Sequence, residues 1–194
     1  MDERLFLSAG FSYCQVGLAR DEQWIYCQEK QGHIADQLAE VLQPCLNLCH
    51  FESLTIFLIN GPGSTLGIRS LCAFIRTLLA LKKVIPSQVC VCDTLHFAQK
   101  YLLMDNTVWT RPICARVNLS KILCLSADTS KIHLASEEEQ RNCIWVEHPC
   151  LPVQAEKFMP KLEKILNILK PSEGWIFTGN PDVFQENPEF VVSN

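Results

Sequence analysis

Residues 61–69, Gly61-Pro62-Gly63-Ser64-Thr65-Leu66-Gly67-Ile68-Arg69, join a continuous apolar run to a helical pattern. Glycines at such a junction admit positive φ and let the backbone approach a ligand closely. Free N–H groups at a helix start can hold an anion. Gly61, Gly63 and Ser64 therefore form the candidate anion-binding loop. It is not a Walker A loop, because no Gly-Lys-Ser/Thr follows. The competing reading is a tight turn whose glycines only let the helix pack on a sheet.

Thiols and imidazoles offer three further candidates. Cys45, Cys49 and His50 cluster in sequence, and Cys45 and Cys49 share a helix face. That face is the apolar one, and tetrahedral zinc wants four ligands at shorter cysteine spacing, so the pair reads as core. Cys90-Val91-Cys92 turns both thiols to one side of a strand, again as core. His148-Pro149-Cys150 pairs a base with a nucleophile in sequence, but adjacent residues in a Pro-rich loop seldom reach the geometry a thiolate nucleophile needs. No metal site is expected from these clusters.

The elements that position these residues follow from periodicity. Short β-prone runs at residues 5–7, 13–19 and 24–27 are separated by Gly10 and by Asp21-Glu22, which suits hairpins. Ile34, Leu38, Val41, Leu42, Cys45, Leu46 and Cys49 follow helical spacing, with Pro44 expected to kink or end that helix. Residues 54–59 read as a buried strand, 65–81 as a second helix and 88–92 as a further strand. Asp93 is placed to cap a helix running through Tyr101. The first hundred residues thus read β-β-β-α-β-α-β-α, a mixed sheet flanked by helices. Beyond them, strands are expected at 112–117, 121–126, 131–135, 143–146 and 175–178, and a helix at 155–169. The division drawn is 1–103 and 104–194, with the second half shortened.

Composition narrows the function classes. The 194 residues are 48% hydrophobic and 20% charged, the balance of a chain that buries a core. A net charge of −4 supplies no global field for nucleic acid, so tight unaided binding to DNA or RNA is disfavoured. Eleven cysteines, an odd number, follow a charged start without a leader-like apolar stretch, which predicts reduced thiols and a cytoplasmic setting. No apolar stretch reaches the roughly 18 residues that span a bilayer, so no membrane association is expected.

The 61–69 stretch, Gly-Pro-Gly-Ser, two residues, then Gly-Ile-Arg, resembles the GPGSFTGLR signature of the TsaB (YeaZ) family. Cys14-Gln15-Val16-Gly17-Leu18 resembles that family's second-strand CSVAL pattern, and His33 with Leu38, Leu42 and Pro44 resembles its first helix. Ala115-Arg116 resembles the Asp-Ala-Arg stretch that opens the second half. The resemblance covers residues 5 to about 102 well and the remainder weakly. It implies an α/β, actin-like ATPase (ribonuclease H-like) fold. It also implies a non-catalytic subunit that binds and activates TsaD in threonylcarbamoyl transfer to tRNA adenosine. A TsaE-type ATPase is a further implied component, and tRNA is met only through the complex.

The departures point the same way. Ser8 stands in the first hairpin where nucleotide-binding relatives carry an Asp, and Cys114 replaces the second Asp. Neither holds Mg²⁺ as a carboxylate does. Gln37 stands where TsaD-like enzymes have the second His of His-x-x-x-His, so no cofactor is expected. These losses weigh against a metallopeptidase-like or nucleotide-hydrolysing enzyme. A small anion- or nucleotide-binding module using Gly61, Gly63 and Ser64 is the other alternative.

The second helix is apolar around most of its circumference, more than one sheet can cover. Ser70, Ala73, Thr77 and Ala80 form a stripe of small residues suited to close helix approach, with Arg69 and Arg76 beside it. In the family, the two corresponding helices form the dimer surface. Ile34, Leu38, Arg69, Ser70, Ala73, Arg76, Thr77 and Ala80 are therefore the expected partner interface, with self-association when TsaD is absent. The cysteine reading is directly measurable: thiol counting in denaturant, soon after anaerobic lysis, should find nearly all eleven reactive. Two or more protected pairs would contradict a reducing compartment.

Overall fold

A computed structural model describes residues 2–9, 13–31, 34–62, 65–104, 110–117, 121–127, 131–146, 157–158, 160–169 and 176–177. Of residues 31, 34–36, 65, 157 and 176–177 it describes the backbone alone. The chain opens with β1 (Glu3–Ser8), β2 (Tyr13–Arg20), β3 (Gln23–Gln31), α1 (Ile34–Leu48), β4 (Leu54–Ile59), α2 (Thr65–Ala80), β5 (Val89–Cys92) and α3 (Thr94–Met104). It continues with β6 (Ile113–Arg116), β7 (Ile122–Leu125), β8 (Ile132–Leu134), α4 (Glu137–Arg141), β9 (Ile144–Val146), β10 (Lys157–Phe158), α5 (Leu162–Ile165) and β11 (Ile176–Phe177).

Two mixed sheets result. The first has the order β11-β5-β4-β1-β2-β3 and the second β10-β9-β6-β7-β8. In the first, β1 pairs antiparallel with β2 and parallel with β4. In the second, β6 pairs antiparallel with β7 and parallel with β9. Each sheet thus places a meander on one side of its first strand and parallel strands on the other. Strand β11 returns from beyond residue 104 and pairs antiparallel with β5.

Strand alternation explains the layers. Leu5, Leu7, Leu54, Ile56, Leu58, Val89 and Val91 bury against Leu38, Val41, Leu42 and Cys45 of α1 and Ile68, Leu71, Ile75 and Leu78 of α2. Phe6, Phe57, Ile59, Cys90 and Cys92 face the other way, onto Leu95, Phe97, Ala98 and Tyr101 of α3. The same cluster takes in Ile113, Ala115, Leu123, Leu125 and Val146 of the second sheet. Helix α3 is thereby packed between the sheets, with Phe6 and Phe97 stacked at 5.7 Å. Gln15 donates to the Pro160 carbonyl at 2.8 Å and Trp24 to that of Leu162 at 3.1 Å, tethering the α5 segment to the first sheet. The Trp24 ring lies over Gly17, where an added Cβ would meet it at 2.4 Å, so the neighbouring strand has no room for a side chain there.

Several expectations need correction. Helix α1 runs through Pro44 to Leu48, because Pro44 faces solvent while Cys45 beyond it is fully buried in the core. The helix expected at 155–169 is instead strand β10, then α5 with a 3-10 turn at Leu166–Ile168. Pro160 lacks a donor and disfavours helical geometry in the residue before it. Phe158 is spent pairing with Val146 in the sheet. Helix α4 was not expected, although Ser136 and Glu139 form a capping box that signals it. Ten cysteines among the described residues are free thiols.

Glu3, fully buried at the start of β1, ties this layer to the end of α1. Its carboxylate accepts from the His50 N–H at 2.7 Å and from Arg20 Nε at 2.7 Å, and the His50 ring lies 2.7 Å away. Arg20 also donates to the Leu48 carbonyl at 3.2 Å. Burial pushes the Glu3 carboxyl up, but the His50 amide, the His50 ring and Arg20 outweigh it and hold it below its ordinary value of 4.5. A depressed folded-state pKa contributes stability above the unfolded value and loses it as pH falls through the folded one. Glu3→Gln should cost about 1–3 kcal/mol at neutral pH. It should also flatten the loss of stability below pH 4.5, measured by urea melts across the acid range. An unchanged acid limb in Glu3→Gln would contradict this role.

Candidate functional site

The loop after β4 is fixed by backbone bonds. Gly61 takes a φ of 79°, a region glycine enters without a Cβ penalty, and the Gly61–Pro62 peptide is cis. The buried Asn60 donates its N–H to the Cys92 carbonyl at 3.0 Å, and its side-chain oxygen accepts from the Cys72 thiol at 3.7 Å. The Gly61 carbonyl accepts from the Thr94 N–H at 2.6 Å. Gly63 and Ser64, the other two loop candidates, lie outside the described residues.

Helix α3 starts beside this loop, and its first donors are already used. Asp93 Oδ1 accepts from Leu95 N at 3.0 Å and His96 N at 2.9 Å. The Asp93 carbonyl accepts from Phe97 N at 3.0 Å. With Thr94 N bonded to Gly61, the amides of Thr94, Leu95, His96 and Phe97 are all used and none of them is offered to an anion. Asp93 is the cap that the sequence predicts.

Ser8 ends β1 on the α3 side of the sheet, fully buried, and its hydroxyl has no hydrogen-bond partner among the described residues. It occupies that end of the strand without a carboxylate. Cys114 does not stand in a matching position across the core. Ile113 and Ala115 take the inner face of β6, and alternation sends Cys114 to the outer face with Cys124, Cys143 and Trp145. Cys90 and Cys92 share one face of β5 as core, as their spacing predicts. Burial pushes the thiols of Cys14 and Cys90 up to about 12, so both stay protonated at neutral pH. Hydrogen bonding to Cys49, with burial, pushes the Cys45 thiol up as well. His50 is engaged with Glu3. His33 and His148-Pro149-Cys150 lie outside the described residues.

The expected interface residues divide. Leu38 is only 6% exposed and packs against the sheet, so it belongs to the core rather than to an outer surface. The reason is its register: Leu38, Leu42 and Cys45 fall on the face of α1 that covers β2 and β3. The side chain of Ile34 is not among those described. Arg69, Ala73, Arg76, Thr77 and Ala80 are exposed and Ser70 is half-buried. Leu66 and Leu81, 54% and 64% exposed, extend this face at either end of α2. The Thr77 hydroxyl donates to the Ala73 carbonyl at 2.9 Å, leaving the ridge no polar demand there. Helix α2 therefore buries Ile68, Leu71, Ile75 and Leu78 and turns the small-residue stripe outward.

Sequence spacing missed one cluster. Cys124, His133 and Glu139 bring their ligand atoms within 4.8 Å of one another on the outer side of the second sheet. The residues lie on two strands and a helix, so no short motif carries them. The β7–β8 register puts Cys124 opposite His133, and the capped α4 brings Glu139 to them.

With this geometry in hand, comparison with known proteins bears on the class. The arrangement is a mixed α/β fold of two mixed sheets with flanking helices. It is the fold of TsaB/YeaZ-like proteins. The chain is similar to YeaZ from Pseudomonas aeruginosa, with a TM-score of 0.53 and 14% identity over 70% of this chain. That match covers 65% of the YeaZ chain, slightly under two thirds of its length. It is also similar to an uncharacterized protein with similarity to peptidase YeaZ, with a TM-score of 0.58 and 14% identity. That match covers 87% of this chain and 90% of the other. No family model matches the sequence, and no curated protein matches it. Among the described residues no helix is long and apolar enough to cross a membrane.

The cap is the testable element of the loop. Asp93→Ala removes the acceptor for two amides and should cost about 0.5–2 kcal/mol. Hydrogen exchange should speed up in the first turn of α3 and at the bonded Thr94 amide. Unchanged exchange there would show that the loop is held without the cap.

Proposed function

We propose that this chain is a non-catalytic, TsaB-like subunit that binds and activates a TsaD-type catalytic subunit in threonylcarbamoyl transfer to tRNA adenosine. The observation that carries the reading is the outward ridge of α2. Ala73, Thr77 and Ala80 are small and exposed, Arg69 and Arg76 flank them, and the helix's large aliphatics at 68, 71, 75 and 78 are already buried. Such a ridge admits a partner helix closely without exposing the core. The arginines suit acidic groups on that partner. The TsaB/YeaZ-like fold and the Gly61-to-Arg69 stretch support the same assignment.

The repeated strand order supports an actin-like reading, with halves at 1–103 and 104–194. In that reading Ser8 replaces the carboxylate that would position a metal and phosphates, which favours a supporting role over nucleotide hydrolysis. The protonated Cys14, Cys45 and Cys90 thiols are poor nucleophiles, which tells against these three serving as covalent catalysts. The same helices serve self-association when the catalytic partner is absent. A TsaE-type ATPase joins as a further component, and tRNA is met through the assembly, in the cytoplasm.

Two variants test this, using the TsaD-type subunit of the same genome. Ala73→Trp places a bulky ring on the exposed ridge, so the isolated chain should keep its melting temperature while pull-down of the partner fails. Arg76→Glu should weaken association in a salt-dependent way. A lowered melting temperature with unchanged partner binding per folded molecule would remove α2 from the interface. No binding by the unaltered chain would remove the function itself.

A further inference from the structure

The outer face of the second sheet gathers side chains of metal-ligand chemistry from three elements: Cys124 of β7, His133 of β8 and Glu139 of α4. His133 Nε2 lies 2.8 Å from Glu139 Oε1, and Cys124 Sγ lies 3.7 Å from the same oxygen. Ligands bound at about 2.0–2.3 Å to a tetrahedral zinc stand roughly 3.3–3.8 Å apart, so small side-chain adjustments suffice to surround an ion. We propose that Cys124, His133 and Glu139 form a binding site for a divalent transition metal of the zinc class, with solvent in the fourth position.

The surroundings hold each ligand in place. Glu139 Oε2 accepts from the Ser136 N–H and hydroxyl, both at 2.8 Å, which fixes the carboxylate and leaves Oε1 turned to Cys124 and His133. His133 Nδ1 lies 3.4 Å from the Lys131 carbonyl, the kind of outer partner that sets the tautomer of a ligating imidazole. The Cys114 thiol hydrogen-bonds those of Cys124 and Cys143 behind the site. Cys124 is fully buried, whereas the His133 and Glu139 side chains are 32% and 26% exposed, so an ion reaches the site from solvent. A thiolate and an imidazole select zinc-like ions over Mg²⁺ or Ca²⁺. Binding displaces the Cys124 thiol proton to solvent and leaves His133 neutral, with its proton on Nδ1. The ion would join β7 to β8 and α4, two short elements with no buried residue of their own. The site lies apart from the α2 ridge and does not depend on the partner reading.

The test uses the full chain, stripped by chelator under reducing conditions and titrated with Co²⁺ and then Zn²⁺. One equivalent of Co²⁺ should bind, with thiolate-to-cobalt charge-transfer absorption and tetrahedral d–d bands. Zn²⁺ should displace it, Mg²⁺ should not, and Zn²⁺ should raise the melting temperature. His133→Ala, at a partly exposed position, should weaken Zn²⁺ binding by more than about 100-fold, beyond the 10–100-fold that losing an outer partner costs. Cys124→Ser should abolish the charge-transfer band. Glu137→Gln, an acidic neighbour outside the trio, should leave affinity unchanged. The proposal falls if the unaltered chain binds no Zn²⁺ against a competing chromogenic chelator. It falls equally if His133→Ala binds as tightly as the unaltered chain, or if the charge-transfer band survives Cys124→Ser. Weaker binding in Glu137→Gln would show a diffuse acidic surface instead and would also overturn it.

Discussion

Strand β1 sends Leu5 and Leu7 to one face of its sheet and Phe6 to the other, all fully buried, and both faces must be covered at once. Each such side chain contributes about 1.5–3 kcal/mol when withdrawn from water, so neither face can be left bare. Helices α1 and α2 cover one side. Helix α3 and the second sheet cover the other. The parallel pairing of β1 with β4, and of β4 with β5, follows from helical crossovers laid on these faces. Glu3 sits at the edge of this arrangement, where a buried carboxylate is tolerable only because Arg20 and His50 meet it.

That layering decides what the site can be. The loop at Gly61 is bound to the start of α3, so it holds two layers together whatever else it touches. The amides of α3 are consumed by Asp93 and Gly61 rather than offered to a ligand. Helix α2, by contrast, has one face committed to the sheet and another exposed. Chemistry is therefore thin around Ser8, and a surface suited to protein contact lies on α2.

The second sheet follows the same alternation with fewer residues. Its inner face joins the common core through Ile113, Ala115, Leu123 and Leu125. Among the described residues its outer face carries a small cluster of three thiols and Trp145, with Ile122 and Ala135 packed on it and α4 beside it.

Much of the first half was legible in the sequence. Residues 56–59 are apolar without interruption because β4 is buried on both faces, and the α2 periodicity and Asp93 cap are local signals that the fold obeys. The Gly61 turn was legible because its glycine meets a backbone demand. The failures have one cause. Leu38 is as apolar as any interface residue, and only its packing against the first sheet makes it core. The segment around Phe158 has helical spacing, but pairing with Val146 and the donor missing at Pro160 turn it into a strand. Cys124, His133 and Glu139 share no motif, because the register of β7 on β8 and the capping of α4 bring them together. The sequence by itself determined which residues must leave water and where the chain must turn. Only the tertiary structure decided which of them meet, because strand pairing and helix docking depend on partners distant in the chain.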